Sequence, residues 1–105
     1  MADRAQEGQA HYAAAKAGVM ALTRCAAIEA AEESSVRINC VAPTLAKHPF
    51  LAKVTPPGLL EALEAKEAFG RGAEPFEIAN VMVFLASDLA SYMTGETLSI
   101  SSQRA

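Results

Sequence analysis

Two short segments typical of β-strands lie far apart in the sequence, with helical segments between them. The first covers residues 36–42, is rich in β-branched side chains and is followed by Pro43, which is expected to end the strand. The second covers residues 96–101 and alternates polar and apolar side chains. Two strands joined by a helical crossover run parallel. The sequence therefore predicts an α/β fold built on a parallel sheet.

The segments around these strands predict helices and one loop. Residues 9–33 are rich in alanine and contain no proline, so they are expected to form one long helix. Residues 57–68 place leucines on one side and charged side chains on the other, which is typical of a surface helix. A third helix is predicted over residues 75–87, because proline and acidic residues are favoured in a first turn. Residues 44–57 contain three prolines and predict a loop, with a helical turn near residues 50–53.

The predicted sheet is smaller than parallel sheets usually are. Such sheets have both faces covered by helices and most often contain about four to six strands. The sequence provides two. We therefore expect the 105 residues to form part of a larger α/β domain.

Charge and composition exclude several classes of function. The net charge of −3 and the absence of a basic cluster argue against binding to nucleic acid or to an anionic membrane. No stretch reaches the ~20 apolar residues of a membrane-spanning helix, and residues 1–7 lack the apolar core of a signal peptide. A cytoplasmic location is therefore expected. Cys25 and Cys40 lack the spacing of a zinc or redox motif, so we predict no metal site and two mostly buried, reduced thiols.

A tyrosine and a lysine lie four residues apart near the start of the long helix. Residues four apart share a helix face, so Tyr12 and Lys16 can reach a common ligand. An ammonium close to a phenol favours the phenolate, which is the form that accepts a proton. Tyr12 can then serve as a general acid or base. The alternative interpretation is an ordinary buried tyrosine and a lysine whose stem packs on the surface while its ammonium reaches solvent.

Further motifs follow this pair along the chain. They are Tyr-x-x-x-Lys-Ala-Gly-Val over residues 12–19, Val-Arg-Ile-Asn over 36–39, Val-Ala-Pro over 41–43, Phe-Leu-Ala-Ser-Asp over 84–88 and Tyr-Met-Thr-Gly-Glu over 92–96. In this order and spacing they resemble the C-terminal half of a short-chain dehydrogenase/reductase. The resemblance implies a doubly wound Rossmann-type parallel sheet. Residues 1–105 would hold its catalytic helix, its last two strands with their covering helices and the substrate-loop region.

The resemblance also implies roles for individual residues. Tyr12 and Lys16 would be catalytic, with Tyr12 exchanging a proton with the carbonyl or alcohol oxygen and Lys16 also binding the nicotinamide ribose. The cofactor would be NAD or NADP. Its implied contacts are Tyr12, Lys16, Pro43, Thr44, Ala46 and His48. Ala46 would use its main chain, whereas Thr44 and His48 stand where the family usually has glycine and threonine.

Parts of the family's site have no counterpart in these 105 residues. In the family the catalytic serine precedes the tyrosine, but here no hydroxyl-bearing residue precedes Tyr12. Gly70 and Gly72 do not follow a strand or open a G-x-G-x-x-G motif, so they indicate a turn rather than a phosphate-binding loop. The N-terminal dinucleotide-binding half, including the residues that distinguish NAD from NADP, is therefore expected to be absent.

Two hypotheses about function follow. In the first, the chain is a fragment, inactive alone, of an oxidoreductase that interconverts an alcohol and a ketone. Residues 46–53 and the C-terminal tail resemble members that act on acyl thioesters or sterol-derived intermediates. In the second, it is a truncated, non-catalytic protein that acts only through oligomerisation. A homo-oligomer is expected in either case, because the resemblance retains the segments through which the family commonly assembles.

Overall fold

The order of elements agrees with the sequence prediction. A computed structural model describes residues 10–47 and 56–102 of the protein. Its elements are α1 (Ala10–Glu33), β1 (Cys40–Pro43), α2 (Leu59–Ala65), α3 (Pro75–Ala86), a short 3-10 helix (Asp88–Ala90) and β2 (Thr97–Ile100). The helical turn predicted near residues 50–53 lies outside the described residues. No helix in the described part of the chain is long and apolar enough to cross a membrane.

The two strands form a parallel pair, which confirms the predicted sheet. Cys40 lies opposite Thr97 at one end of the pair, and Pro43 lies opposite Ile100 at the other. The main-chain amide of Cys40 donates to the carbonyl of Glu96 at 2.9 Å. Just beyond Pro43, which has no amide hydrogen to give, the amide of Thr44 donates to the carbonyl of Ile100 at 3.2 Å. The proline therefore sits at the last position of the strand.

The prediction of a strand over residues 36–39 is wrong. These residues bond to the turn before β2 instead of continuing the ladder. The amide of Ile38 donates to the hydroxyl of Thr94 at 3.0 Å, and the amide of Gly95 donates to the carbonyl of Ile38 at 2.7 Å. The side chain of Asn39 donates to the carbonyl of Met93 and accepts from the amide of Glu96, each at 3.0 Å. Side-chain partners thus replace the regular pairing that β-branched residues favour.

The guanidinium of Arg37 connects the end of α3 to the same turn. Its Nη1 donates to the carbonyl of Leu85 at 2.9 Å and to that of Met93 at 3.3 Å, and its Nη2 donates to the carbonyl of Ser87 at 3.0 Å. Carbonyls in the last turn of a helix have no partner within the helix. Arg37 therefore supplies a donor to the carbonyl of Leu85 and adds a second donor to the carbonyls of Ser87 and Met93, which also accept from Ala90 and Asn39.

Helix α1 touches the rest of the fold through small side chains. Its buried residues are Thr23 and Ala27, whereas its larger apolar side chains are mostly exposed. Gly95, with φ of 75°, faces this helix, and a Cβ added there would lie 3.4 Å from the Cβ of Ala27. The glycine therefore serves both the turn and the approach of α1.

Substitutions at two glycines are expected to change stability in opposite directions. Gly95→Ala should lower the free energy of unfolding by about 1–2 kcal/mol, because alanine is strained at positive φ. Gly18→Ala should raise it by about 0.5–1 kcal/mol, because Gly18 lies inside α1 with open space around its Cα. Urea unfolding measures both values. A stabilising Gly95→Ala would contradict the assigned backbone conformation.

Candidate active site

The first turns of α1 bring Tyr12 and Lys16 together as their spacing predicts. The Nζ atom of Lys16 lies 5.4 Å from the centroid of the Tyr12 ring, within the range of a cation–π contact. Tyr12 is 52% exposed and Lys16 is half-buried. The phenol is therefore accessible to a ligand while the ammonium stays beside it.

These two side chains border a cavity of about 270 Å³ between α1 and the sheet. Its lining consists of Tyr12, Ala15, Lys16, Val19, Met20, Cys40, Val41, Ala42 and Thr97. The thiol of Cys40 and the hydroxyl of Thr97 are hydrogen-bonded to each other at 3.1 Å. The walls are mainly apolar, and the phenol and the ammonium are the groups able to transfer or stabilise charge. An apolar pocket with a few convergent polar groups is the usual form of a small-molecule site.

A second cavity, of about 300 Å³, lies on the α3 side of β1. It is lined by Arg37, Asn39, Cys40, Val41, Met82, Leu85 and Ala86. Cys40 and Val41 thus border both cavities. In the described part of the chain, β1 pairs with β2 and with no other strand.

The cofactor residues implied by the resemblance lie in a different place from Tyr12 and Lys16. Pro43 is the last residue of β1, and Thr44 and Ala46 follow it; none of the three belongs to the lining described for the Tyr12 cavity. Ala46 forms a parallel bridge with Ala73, and His48 lies outside the described residues. The structure therefore brings Tyr12 and Lys16 together, and it places Pro43 at the end of β1 and Thr44 and Ala46 on the loop that follows.

Thr44 has a buried partner that sequence reasoning missed. Its hydroxyl donates to Oε1 of Glu67 at 2.7 Å. Glu67 is 5% exposed, and its Oε2 atom is buried with no hydrogen-bond partner among the described residues. The sequence offers little signal for this contact, because residue 67 falls in a charged stretch that predicts a solvated helix face. In the structure, α2 ends at Ala65. Glu67 lies beyond the helix, so helical periodicity does not predict the direction of its side chain.

The exposure of two other side chains also differs from the sequence prediction. Cys25 is exposed on α1, whereas both thiols were expected to be mostly buried. Glu64, predicted to face solvent, accepts a hydrogen bond from the amide of Gly72 at 3.0 Å and has a side chain only 20% exposed. The described residues hold no group of three His, Cys, Asp or Glu side chains able to bind a metal ion.

An ion pair joins the turn before α3 to its first turn. The Nη1 atom of Arg71 lies 2.7 Å from Oε1 of Glu77, which also accepts from the amide of Glu74 at 2.9 Å. The hydrogen bond from Arg71 and then that from Glu74 lower the pKa of Glu77 to about 2. The same pairing raises the pKa of Arg71. Glu77 thus stabilises the start of α3, as predicted for an acidic residue in a first turn.

This lowered pKa predicts a dependence of stability on pH. A carboxyl whose pKa is lower in the folded than in the unfolded state stabilises the fold above its unfolded pKa, here about 4.5. The contribution is lost as the pH falls towards 2. The difference in unfolding free energy between wild type and Glu77→Gln should therefore be constant above pH 5 and shrink to nothing near pH 2. A difference that stays constant over this range would contradict the pairing.

Comparison with known proteins places the chain among reductases and dehydrogenases. Residues 1–102 match the protein family described as Enoyl-(Acyl carrier protein) reductase. The chain is 63% identical over 100 residues to the Mycobacterium tuberculosis protein named (5R,7aS)-5-hydroxy-7a-methyl-1-oxo-2,3,5,6,7,7a-hexahydro-1H-indene-carboxyl-CoA reductase. That match covers 95% of this chain and 38% of the relative. A 3-oxoacyl-(acyl-carrier-protein) reductase of Thermotoga maritima is 41% identical over 93 residues, which are 89% of this chain and 37% of that protein.

A solved structure agrees with the sequence matches. The crystal structure of a short chain dehydrogenase from Mycobacterium smegmatis superposes with a TM-score of 0.73 at 56% identity, and the match covers 98% of this chain. The match spans 35% of that protein, so the chain corresponds to little more than a third of the length of these relatives. The family match and the shared Rossmann-type fold together show that the chain belongs to the short-chain dehydrogenase/reductase family.

Proposed function

We propose that residues 1–105 form the C-terminal portion of the Rossmann domain of an NAD(P)-dependent dehydrogenase that interconverts an alcohol and a ketone. The observation that carries this proposal is the placement of Tyr12 and Lys16 at the edge of an apolar cavity of about 270 Å³. Family membership supplies the reaction class. The two cavities that flank β1 support a larger domain, because a parallel sheet normally continues past two strands.

Tyr12 is the proposed acid/base catalyst. Its phenol is exposed enough to meet a substrate oxygen, and it donates a proton to that oxygen during ketone reduction or accepts one during alcohol oxidation. The ammonium of Lys16 lies 5.4 Å from the centroid of the Tyr12 ring, so a positive charge is held close to the reacting phenol. The walls formed by α1 and β1 are mainly apolar, so an apolar part of the substrate can pack against them beside Tyr12.

Two groups in the described residues are suited to bind a nicotinamide cofactor: the ammonium of Lys16 and the main chain of Ala46. Lys16 has an ammonium available to bind ribose hydroxyls, beside the apolar wall of the cavity. The Ala46–Ala73 bridge uses the carbonyl of Leu45 and the amide of Lys47, so the amide and carbonyl of Ala46 itself take no part in it. We assign these Ala46 main-chain groups to the carboxamide of the nicotinamide. NAD or NADP, when bound, supplies or accepts the hydride.

The remaining implied contacts are Pro43, Thr44 and His48. Pro43 ends β1 and directs the chain into the loop that contains Ala46. The hydroxyl of Thr44 already donates to Glu67, and a carboxylate so close disfavours a phosphate at that position. We therefore propose that Thr44 orients the loop and that the imidazole of His48 is the group offered to the pyrophosphate.

The relatives suggest the class of substrate. The Mycobacterium tuberculosis relative is named for a bicyclic indene-carboxyl-CoA, and the Thermotoga maritima relative is named for a 3-oxoacyl group on acyl carrier protein. Both are acyl thioesters. We infer that this protein acts on a ketone or alcohol of an acyl thioester, with a ring system derived from a sterol as the first compound to test, and that it does so in the cytoplasm.

A complementation assay tests this function. The 105 residues contain no G-x-G-x-x-G motif, so we expect no hydride transfer from them alone. Mixing them with the remaining segment of the Mycobacterium smegmatis dehydrogenase should restore oxidation of reduced nicotinamide by a 3-oxoacyl-CoA. An assembled complex that binds NAD(H) but transfers no hydride to any thioester ketone would contradict the assigned reaction.

A specific observation favours a second candidate, a non-catalytic protein that acts through oligomerisation. Large apolar side chains on α1 and α3 are exposed, among them Leu22 at 67%, Ile28 at 65% and Val83 at 68%. Exposed apolar surface of this kind is typical of interfaces. Sedimentation of the purified chain over a range of concentrations, together with NAD(H) titration, separates the candidates. A stable oligomer without any NAD(H) binding, alone or complemented, would favour the second.

A further inference from the structure

We propose that Glu67 is a positioning residue that sets the conformation of the loop after β1 and, through it, the affinity for the nicotinamide cofactor. This inference rests on the proposed function, which assigns Ala46 in that loop to the cofactor. Glu67 lies 23 residues beyond Thr44, on the far side of the segment that contains α2. Its contact with Thr44 therefore closes the two ends of that segment onto each other.

The contact between Thr44 and Glu67 is short and partly buried. The hydroxyl of Thr44 lies 2.7 Å from Oε1 of Glu67, and the glutamate is 5% exposed. A hydrogen bond to a charged acceptor is roughly twice as strong as one between neutral groups. This hydrogen bond holds the side chain of Thr44, just after β1, against the turn formed by residues 67–73.

Main-chain hydrogen bonds hold the next three residues, 45–47, against the same turn. We call these bonds, together with the Thr44–Glu67 contact, the clamp. The amide of Ala73 donates to the carbonyl of Leu45 at 2.7 Å, and the amide of Lys47 donates to the carbonyl of Ala73 at 2.8 Å. The ammonium of Lys47 lies 3.9 Å from Glu64 and 3.7 Å from Glu74. The close approach needs a glycine at position 72, where a Cβ would meet the side chains of both Leu45 and Lys47 at 3.0 Å.

The clamp determines the direction of the main-chain amide and carbonyl of Ala46. Because Leu45 and Lys47 bond to Ala73, the main-chain groups of Ala46 point away from the residue 67–73 turn and are available to a ligand. Glu67 fixes the start of this arrangement through Thr44. Oε2 of Glu67 is buried without a hydrogen-bond partner among the described residues, so Oε1 makes the contact that holds Thr44.

The test compares variants of Glu67 and Thr44 in the complemented enzyme. Glu67→Met removes the acceptor with little loss of volume and should raise the KM for the cofactor by about tenfold, the effect of losing one strong hydrogen bond. The kcat at saturating cofactor should stay within about twofold, because Tyr12 and Lys16 are untouched. Glu67→Gln retains a carbonyl oxygen for Thr44 and should keep the wild-type KM. Thr44→Val should act like Glu67→Met, and the double variant should be no worse than either single variant.

Glu61→Gln, on the exposed side of α2, is the matched control and should leave the cofactor KM unchanged. Amide hydrogen exchange in the 105-residue chain gives a readout that does not depend on activity: the amides of Lys47 and Ala73 should exchange faster in Glu67→Met and not in Glu67→Gln. Unchanged exchange, or a cofactor KM raised equally by Met and Gln, would overturn the inference. Absence of hydride transfer in the wild-type complex would count against the proposed function instead, and the exchange experiment would still decide the role of Glu67.

Discussion

Replacing Tyr12 by phenylalanine is expected to lower kcat of the complemented enzyme by about 10²–10⁴-fold, the usual contribution of a positioned acid/base group. The ring and its contact with Lys16 remain, so the cavity between α1 and the sheet should keep its shape. Cofactor affinity should therefore change by no more than a few-fold. Steady-state measurement of kcat and of both KM values separates the loss of proton transfer from a loss of binding.

Tyr92 provides the matched control for this experiment. It is the other tyrosine of the chain and is fully exposed in the turn before β2. Tyr92→Phe should leave both kcat and the KM values unchanged. If Tyr12→Phe retains wild-type kcat, Tyr12 is not the acid/base catalyst and the proposed mechanism fails, even if the chain binds the cofactor.

Replacing Arg37 by methionine is expected to lower the free energy of unfolding by about 2–4 kcal/mol. The substitution keeps an unbranched side chain but removes three hydrogen bonds to the carbonyls of Leu85, Ser87 and Met93. The carbonyl of Leu85 is left without a donor, which costs about 1–3 kcal/mol, whereas the carbonyls of Ser87 and Met93 keep Ala90 and Asn39 as donors and lose only the additional bond. Part of this cost is recovered because Arg37 is only half-buried and water can reach some of the freed groups.

Urea unfolding of the wild type, Arg37→Met and Arg24→Met measures the effect. Arg24 is exposed on α1 and makes no hydrogen bond or ion pair within the described residues, so its replacement should change stability by less than about 0.5 kcal/mol. Amide exchange near residues 93–95 should rise in Arg37→Met alone, since these residues bond to the segment that contains Arg37. Equal stability of the two variants would show that the three hydrogen bonds contribute little.

The features that depend on residues close together in the sequence were predicted correctly. The bounds of α1 and α3 agree with the predicted helices to within one residue, because alanine content and first-turn chemistry act locally. The Tyr12–Lys16 pair follows from helical spacing alone. The parallel order of β1 and β2 follows from their helical crossover.

The errors have a common physical cause. Residues 36–39 have strand propensity, yet they bond to residues 93–96, which lie more than fifty positions away. Residues 57–68 have helical periodicity, yet the helix stops at Ala65 and Glu67 turns inward to Thr44. In both cases a distant hydrogen-bond partner outweighs a local preference of about 1 kcal/mol or less per residue.

The sequence by itself therefore determined the fold class, the lineage and the Tyr12–Lys16 pair, because these depend on periodicity, on short motifs and on one turn of helix. Only the tertiary structure decided that Arg37 joins α3 to the turn before β2, and that Glu67 holds Thr44 at the start of the loop after β1. Both contacts join residues 23 or more positions apart. Their formation depends on how the packed elements place the two partners in space. No local pattern in the sequence indicates which distant residues will meet.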